Sequence, residues 1–116
     1  MRKQSLDPAQ ISAAIATRWL GRPIHYWPEI GSTNEALGKM AEAGAPAGTL
    51  TITDYQSAGK GRLQRRWEAP RSSSLLFSLL FRPDWPARQA QWLTMMAGVA
   101  TVAALEGVVA LKAGLK

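Results

Sequence analysis

The chain has 116 residues, the size of one small domain or a piece of a larger one, and it can bury roughly two-thirds of its unfolded surface. Its 47% apolar and 19% charged residues exclude disorder, and the lack of cysteine excludes a disulfide framework or a thiolate metal site and fits a reducing cytoplasm. The formal charge of +6 is concentrated: Lys60, Arg62, Arg65, Arg66 and Arg71 face only Glu68, leaving +4 in one window, which implies an anionic partner such as a nucleotide, a nucleic acid or an acidic protein.

Met1-Arg2-Lys3-Gln4 has no apolar run behind it and does not read as a secretory signal. Asp7-Pro8 supplies an N-cap and a first-turn proline, and Ile11, Ile15 and Trp19 recur at helical spacing until Gly21 stops the helix before Pro23. Ile24 to Trp27 reads as a short strand ended by Pro28. Its His25 is the chain's only histidine, which gives a hydrolytic triad or a transition-metal site almost no support. Ser32-Thr33-Asn34-Glu35 matches a capping box. The helix behind it carries Leu37, Met40 and Ala41 on one face and closes at Gly44.

Gly48 to Gln56 is rich in threonine and apolar residues and reads as a strand, followed by a polar, Gly- and Arg-rich loop from Ser57 to about Ser73. Ser74 to Arg82 is short and nearly all apolar, as a buried strand would be. From about Pro86 to Leu111 the composition predicts a long helix packed across the sheet. Its apolar core, Met95 to Leu111, falls short of the roughly 20 apolar residues a membrane span needs, so a soluble protein is expected. The order α-β-α-β-β-α predicts an α+β fold, a mixed β-sheet covered by helices. Three strands are a thin sheet for so long a helix, so the expected fold is incomplete.

Two segments can carry chemistry. In Gly59-Lys60-Gly61-Arg62-Leu63-Gln64-Arg65-Arg66-Trp67, two glycines let the backbone turn and offer consecutive N–H groups to one anion. The arginines add charge-assisted hydrogen bonds to phosphate oxygens, and Trp67 can stack on a base. A plain solvated basic hairpin and a single-stranded nucleic-acid site are the alternatives. The loop lacks the Walker A pattern and the Rossmann fingerprint. Ser32, Thr33 and Asn34 set three short polar side chains at a helix N-terminus, where a ureido or carboxylate group could bind, with simple capping as the alternative. Gln56, near its strand's end, could hydrogen-bond a ligand or a neighbouring edge.

Four blocks in order resemble the biotin–protein ligase family. They are Gly31-Ser32-Thr33-Asn34 with its helix; Asp54-Tyr55-Gln56-Ser57-Ala58-Gly59-Lys60-Gly61-Arg62; Arg65-Arg66-Trp67 with Pro70; and Ser74 through Pro83. The first helix and Leu20-Gly21-Arg22 resemble the lead-in to that family's catalytic domain. The resemblance implies a class II aminoacyl-tRNA synthetase-like, biotin–lipoate ligase fold. It also implies a two-step reaction, in which biotin and ATP (with Mg2+) form biotinyl-5′-AMP and a lysine of the biotin carboxyl carrier protein of acetyl-CoA carboxylase then takes the biotinyl group. By it Ser32, Thr33, Asn34, Gln56 and Gly61 would bind biotin. Gly59, Lys60, Gly61, Arg62, Arg65 and Trp67 would hold the adenylate, with Lys60 and Arg62 acting catalytically.

Two positions depart from the family's pattern: Lys60 where arginine is common, and Gln64 where glycine is common. The family's later Lys-Trp-Pro-Asn-Asp block is not among these residues. The resemblance therefore implies the N-terminal part of a catalytic domain, residues 1–116, inactive by itself, with no winged-helix domain before it and no DNA or membrane partner. Homodimerisation stays open. A lipoate or octanoate ligase-like domain and a basic nucleic-acid-binding module are the rival readings.

Overall fold

The computed structural model describes residues 5–109. It divides into two compact units, Met1–Arg82 and Pro83–Lys116.

In the first unit, α1 (Pro8–Ala14) starts as its sequence predicts: the Asp7 carboxylate accepts from the Ala9 N–H at 2.9 Å and proline takes the first turn. It ends a full turn earlier than the Ile11/Ile15/Trp19 spacing implies, because Ile15 is already extended at φ −78°, ψ 140°. The Arg22 guanidinium compensates for that early end. It donates to the Ser12 and Ile15 carbonyls at 3.0 and 3.2 Å, to the Thr17 carbonyl at 3.2 Å and to the Ser12 hydroxyl at 2.7 Å, satisfying acceptors a longer helix would have used itself.

The sheet has strand order β1-β2-β5. β1 (Ile24–Trp27) runs parallel to β2 (Leu50–Thr53), and β5 (Leu76–Leu79) pairs antiparallel to β2, giving the mixed sheet expected. Between β2 and β5, the segment expected to be a polar, Gly- and Arg-rich loop holds a small hairpin of β3 (Gly59–Lys60) and β4 (Arg66–Trp67), the form named among the alternatives. The register places Leu50 opposite Leu79 and Ile52 opposite Phe77 on one face, and Thr51 opposite Ser78 and Thr53 opposite Leu76 on the other. The apolar face lines a groove of about 410 Å³ with Leu6, Ile11, Ile15 and Leu20. β5 is therefore not the fully buried strand its composition predicts: Leu76 is 9% exposed and Phe77 46%.

α2 (Thr33–Glu42) packs on the other face, against β2 and β5. Ser32 caps it by accepting from the Glu35 N–H at 3.4 Å, half of the capping box expected. The Glu35 carboxylate is engaged elsewhere. At the C-terminus Gly44, at φ +97°, sends its N–H to Ala41, while the Ala45 N–H reaches Met40 at 2.9 Å, a Schellman ending. This face of the sheet is unusual in being threonine-lined. Thr49, Thr51 and Thr53 are fully buried, and each hydroxyl is satisfied by a backbone carbonyl: Pro46 at 2.6 Å, Thr33 at 3.0 Å and Trp27 at 2.7 Å.

Among its described residues the second unit holds a 3-10 turn at Ala87–Gln89 and α3 (Gln91–Val109). Trp85 and Trp92 meet edge to face at 6.1 Å, joining the turn to the helix start. The last residues of the expected helix, Ala110 and Leu111, lie outside the described residues. No helix among the described residues is long and apolar enough to cross a membrane.

The buried Thr51 hydroxyl gives a direct test of this architecture. Thr51→Val keeps shape and β-propensity but leaves one of the Thr33 carbonyl's bonds unmade, so a loss of about 1–3 kcal/mol is expected. Urea denaturation reads this as a lower midpoint with an unchanged slope, and Thr51→Ser should recover most of it.

Candidate functional site

The chain beyond β1 and β2 builds the site. Past the paired strands the two segments stay bonded: Ile30 donates to Tyr55 at 3.1 Å, and Ser57 and Ala58 donate to Ile30 and Gly31 at 3.0 and 2.8 Å. That extension sets Gln56 beside the first turn of α2. The Gln56 side-chain oxygen then accepts from the Thr33 N–H at 2.8 Å and lies 3.1 Å from the Thr33 hydroxyl. Buried Asp54 anchors the start of the segment by accepting from the Tyr26 hydroxyl. That hydrogen bond to a carboxylate raises the Tyr26 pKa above its ordinary value.

These elements enclose a pocket of about 300 Å³. Its walls are Ser32, Thr33, Asn34, Gln56, Lys60 and Trp67, with Leu75 and, from β5, Leu76, Phe77 and Ser78. Six of the residues singled out in sequence thus converge on one cavity. The α2 N-terminus contributes less than its dipole suggests, because the Thr33 and Glu35 N–H groups are already taken by Gln56 and Ser32. Recognition there falls to side chains. Trp67, expected near a nucleobase, shares the cavity with Ser32, Thr33 and Gln56.

Gly61, Arg62 and Arg65 are not on the pocket wall. They sit on the hairpin, and its geometry corrects the anion nest expected around Gly59 and Gly61. Gly59 is paired with Trp67 in the β3–β4 ladder, and the Gly61 N–H is taken by the Arg65 carbonyl at 2.5 Å. Gly59 is required for a different reason. A Cβ there would lie 2.8 Å from the Trp67 carbonyl oxygen and 2.9 Å from the Gln56 side-chain nitrogen. The reversal itself is made by Leu63 (φ 59°) and Gln64 (φ 61°), closed by the Arg65 N–H on the Arg62 carbonyl at 3.2 Å. Two consecutive left-handed residues are the signature of a type I′ turn, which favours Asn and Gly. Leucine and glutamine there are strained.

The charges are also more committed than composition implies. The Lys60 ammonium binds Glu35 at 2.6 Å, Arg66 binds Glu68 at 2.9 Å, and Arg71 pairs with Glu29 while lying 4.8 Å over the Tyr55 ring. Among the described residues, neither the Arg62 nor the Arg65 side chain makes a hydrogen bond, and both are exposed. Lys60 holds the Glu35 carboxyl below its ordinary value, chiefly by hydrogen bonding to it. Sequence reasoning gave no site role to Glu35 or to β5. The one available signal was Ser78, a lone polar residue inside an apolar strand.

The Biotin/lipoate A/B protein ligase family matches residues 26–115 of the chain. The bifunctional ligase/repressor BirA of Bacillus spizizenii is 32% identical over 111 residues, covering 96% of this chain and 34% of that protein. The biotin–[acetyl-CoA-carboxylase] ligase of Mycobacterium tuberculosis is 37% identical over 100 residues, covering 82% of this chain and 38% of that protein. BirA of Escherichia coli is 31% identical over 80 residues, 68% of this chain and 24% of that protein. The chain spans at most about two-fifths of the length of these relatives.

Two expectations follow from the hairpin. Replacing Gln64 with glycine relieves a left-handed side-chain residue and should raise the denaturation midpoint, by about 1 kcal/mol or less. The Glu35–Lys60 pair has a defined pH window. A carboxylate lowered by its partner adds stability above its unfolded value near 4.5 and loses it as pH falls through the lower folded value. Both groups are exposed, so the energy is small. An NMR titration should nevertheless place Glu35 below 4.5, and Lys60→Ala should return it there.

Proposed function

Because this chain belongs to the biotin/lipoate A/B protein ligase family, we propose that it supplies the biotin pocket and adenylate loop of a biotin–protein ligase. In this reading the whole enzyme condenses biotin with ATP to biotinyl-5′-AMP and passes the biotinyl group to a lysine of the biotin carboxyl carrier protein of acetyl-CoA carboxylase, in the cytoplasm. The convergence of Ser32, Thr33, Asn34 and Gln56 on one small cavity is the observation that carries it. Biotin rather than lipoate is favoured because the cavity's polar wall suits a ureido ring, and because the Mycobacterium tuberculosis relative is named a biotin–[acetyl-CoA-carboxylase] ligase.

The chemistry asks little of a nucleophile on the protein. A biotin carboxylate oxygen attacks the α-phosphorus and pyrophosphate leaves, so the barrier lies in charge gathering on the phosphoryl oxygens. Arg62 and Arg65 are the hairpin cations to meet that charge, since their side chains are exposed and their partners are not fixed within the fold. Lys60 already stands on the pocket wall, held by Glu35, and can turn to the acyl phosphate when a stronger anion arrives. Swinging the hairpin over the pocket brings Gly61 and both arginines to the junction and shields the mixed anhydride from water. Among the described residues there is no cluster of three or more His, Asp or Glu side chains suited to a metal ion. Magnesium would accompany ATP and be held mainly by the triphosphate, as is usual for this ion with nucleotides.

Isothermal titration of the chain with biotin, and separately with lipoate, tests the assignment. Biotin should bind, lipoate should compete weakly, and Gln56→Ala should lower biotin affinity by about tenfold or more, the scale of one or two lost hydrogen bonds. Binding of single-stranded oligonucleotide with steep salt dependence and indifference to biotin would instead support a nucleic-acid module.

A further inference from the structure

Ser78 is in none of the residue sets assigned above to biotin or adenylate, yet its hydroxyl lies 3.0 Å from the Thr33 hydroxyl, and it lines the same cavity. The strand register puts it opposite Thr51, on the α2-facing side of the sheet.

The hydrogen-bond polarity of this corner can be worked out. The Thr33 N–H can only donate, so the Gln56 atom 2.8 Å from it must be the amide oxygen, which can only accept. The same oxygen lies 3.1 Å from the Thr33 hydroxyl, so Thr33 gives it its single proton. Thr33 then has none left for Ser78, and the 3.0 Å contact must run from the Ser78 O–H to Thr33. The chain is directional: Ser78 to Thr33 to the Gln56 oxygen.

Two groups are left over for a ligand. The Gln56 amino group, lying against Gly59, is a donor. The Ser78 oxygen, its proton committed, has lone pairs alone to offer. We propose that Ser78 is a specificity-determining residue whose hydroxyl oxygen accepts an N–H of the bound cyclic urea, while Gln56 offers a donor to ligand oxygen. The inference rests on the biotin reading and deepens it: the cavity selects ligands that carry an N–H next to a carbonyl. A dithiolane such as lipoate has neither in its ring and gains nothing from Ser78.

The test is calorimetric titration of wild-type chain and three variants, Ser78→Ala, Ser78→Cys and Ser78→Thr, with biotin and with a biotin methylated on both ureido nitrogens. Wild type should prefer biotin to the methylated ligand. Ser78→Ala and the near-isosteric Ser78→Cys should weaken biotin about tenfold and leave the methylated ligand unchanged, while Ser78→Thr keeps biotin affinity. Circular dichroism and the urea midpoint of each variant separate lost folding from lost recognition, and the cysteine variant carries the test if the alanine variant unfolds. Biotin binding that is the same in wild type and both hydroxyl-free variants overturns the role of Ser78 and leaves the biotin reading standing. Equal loss of both ligands also overturns it, since Ser78 would then only hold the wall. Absence of biotin binding by wild type overturns the biotin reading, and this inference with it.

Discussion

The site depends on how completely Thr33 is held. Its N–H is bound by Gln56, its carbonyl by the buried Thr51 hydroxyl, and its own hydroxyl lies between Gln56 and Ser78. Each partner comes from a different stretch of chain: the end of the β2 extension, the middle of β2, and β5. One residue at the start of a helix therefore ties the helix to two strands and to the segment entering the hairpin. A helix N-terminus normally leaves several N–H groups to solvent. Here side chains occupy two of them, on Thr33 and Glu35, which turns a diffuse dipolar site into one with fixed donors and acceptors.

That arrangement explains the threonine-rich face of β2. An apolar residue at position 51 would bury as well as threonine, but nothing would then meet the Thr33 carbonyl from the sheet side. Buried hydroxyls cost little when each finds a carbonyl, and much when one does not. Among the described residues no buried side-chain nitrogen or oxygen lacks a partner, so the threonine face is a satisfied one. The opposite face carries the apolar burden with Leu50, Ile52 and Leu79. The two faces divide the work, one forming the groove beside α1 and the other orienting the pocket.

Much of this was legible in sequence because the signals were local. Asp7-Pro8, Ser32 three residues before Glu35, and Gly44 each fix a chain end by chemistry within one turn, and all three mark real boundaries. The six wall residues outside the β5 side were also marked, by short polar side chains at a helix start and by a basic, Gly-rich loop, although capping alone would have accounted for Ser32. What sequence missed was non-local. Nothing in the spacing of Ile11, Ile15 and Trp19 shows that Arg22 will fold back and replace the last turn of α1. The pairing of Lys60 with Glu35 joins residues 25 positions apart. The two glycines of the hairpin drew attention as the turn, whereas the left-handed positions fell on Leu63 and Gln64. Glycine was informative at position 59 through the space it leaves, not through its freedom to turn.

The strained turn and the committed lysine bear on how such a loop works. A loop that must both admit a ligand and seal it needs two states close in energy. Leu63 and Gln64 in left-handed backbone raise the energy of the hairpin seen here, and an exposed ion pair such as Glu35–Lys60 restores only a little of it. A glycine at position 64 would deepen this state, and an arginine at position 60 would grip a phosphate more firmly through its planar fork. The two departures from the family's usual residues thus act on opposite sides of one equilibrium. Gln64 strains the hairpin of this fold, while on the proposed reading Lys60 would hold an anion less firmly than an arginine once the loop had moved. On that reading, loop position is set less by the glycines that identify the motif than by the residues between and after them, Lys60 and Gln64 among them.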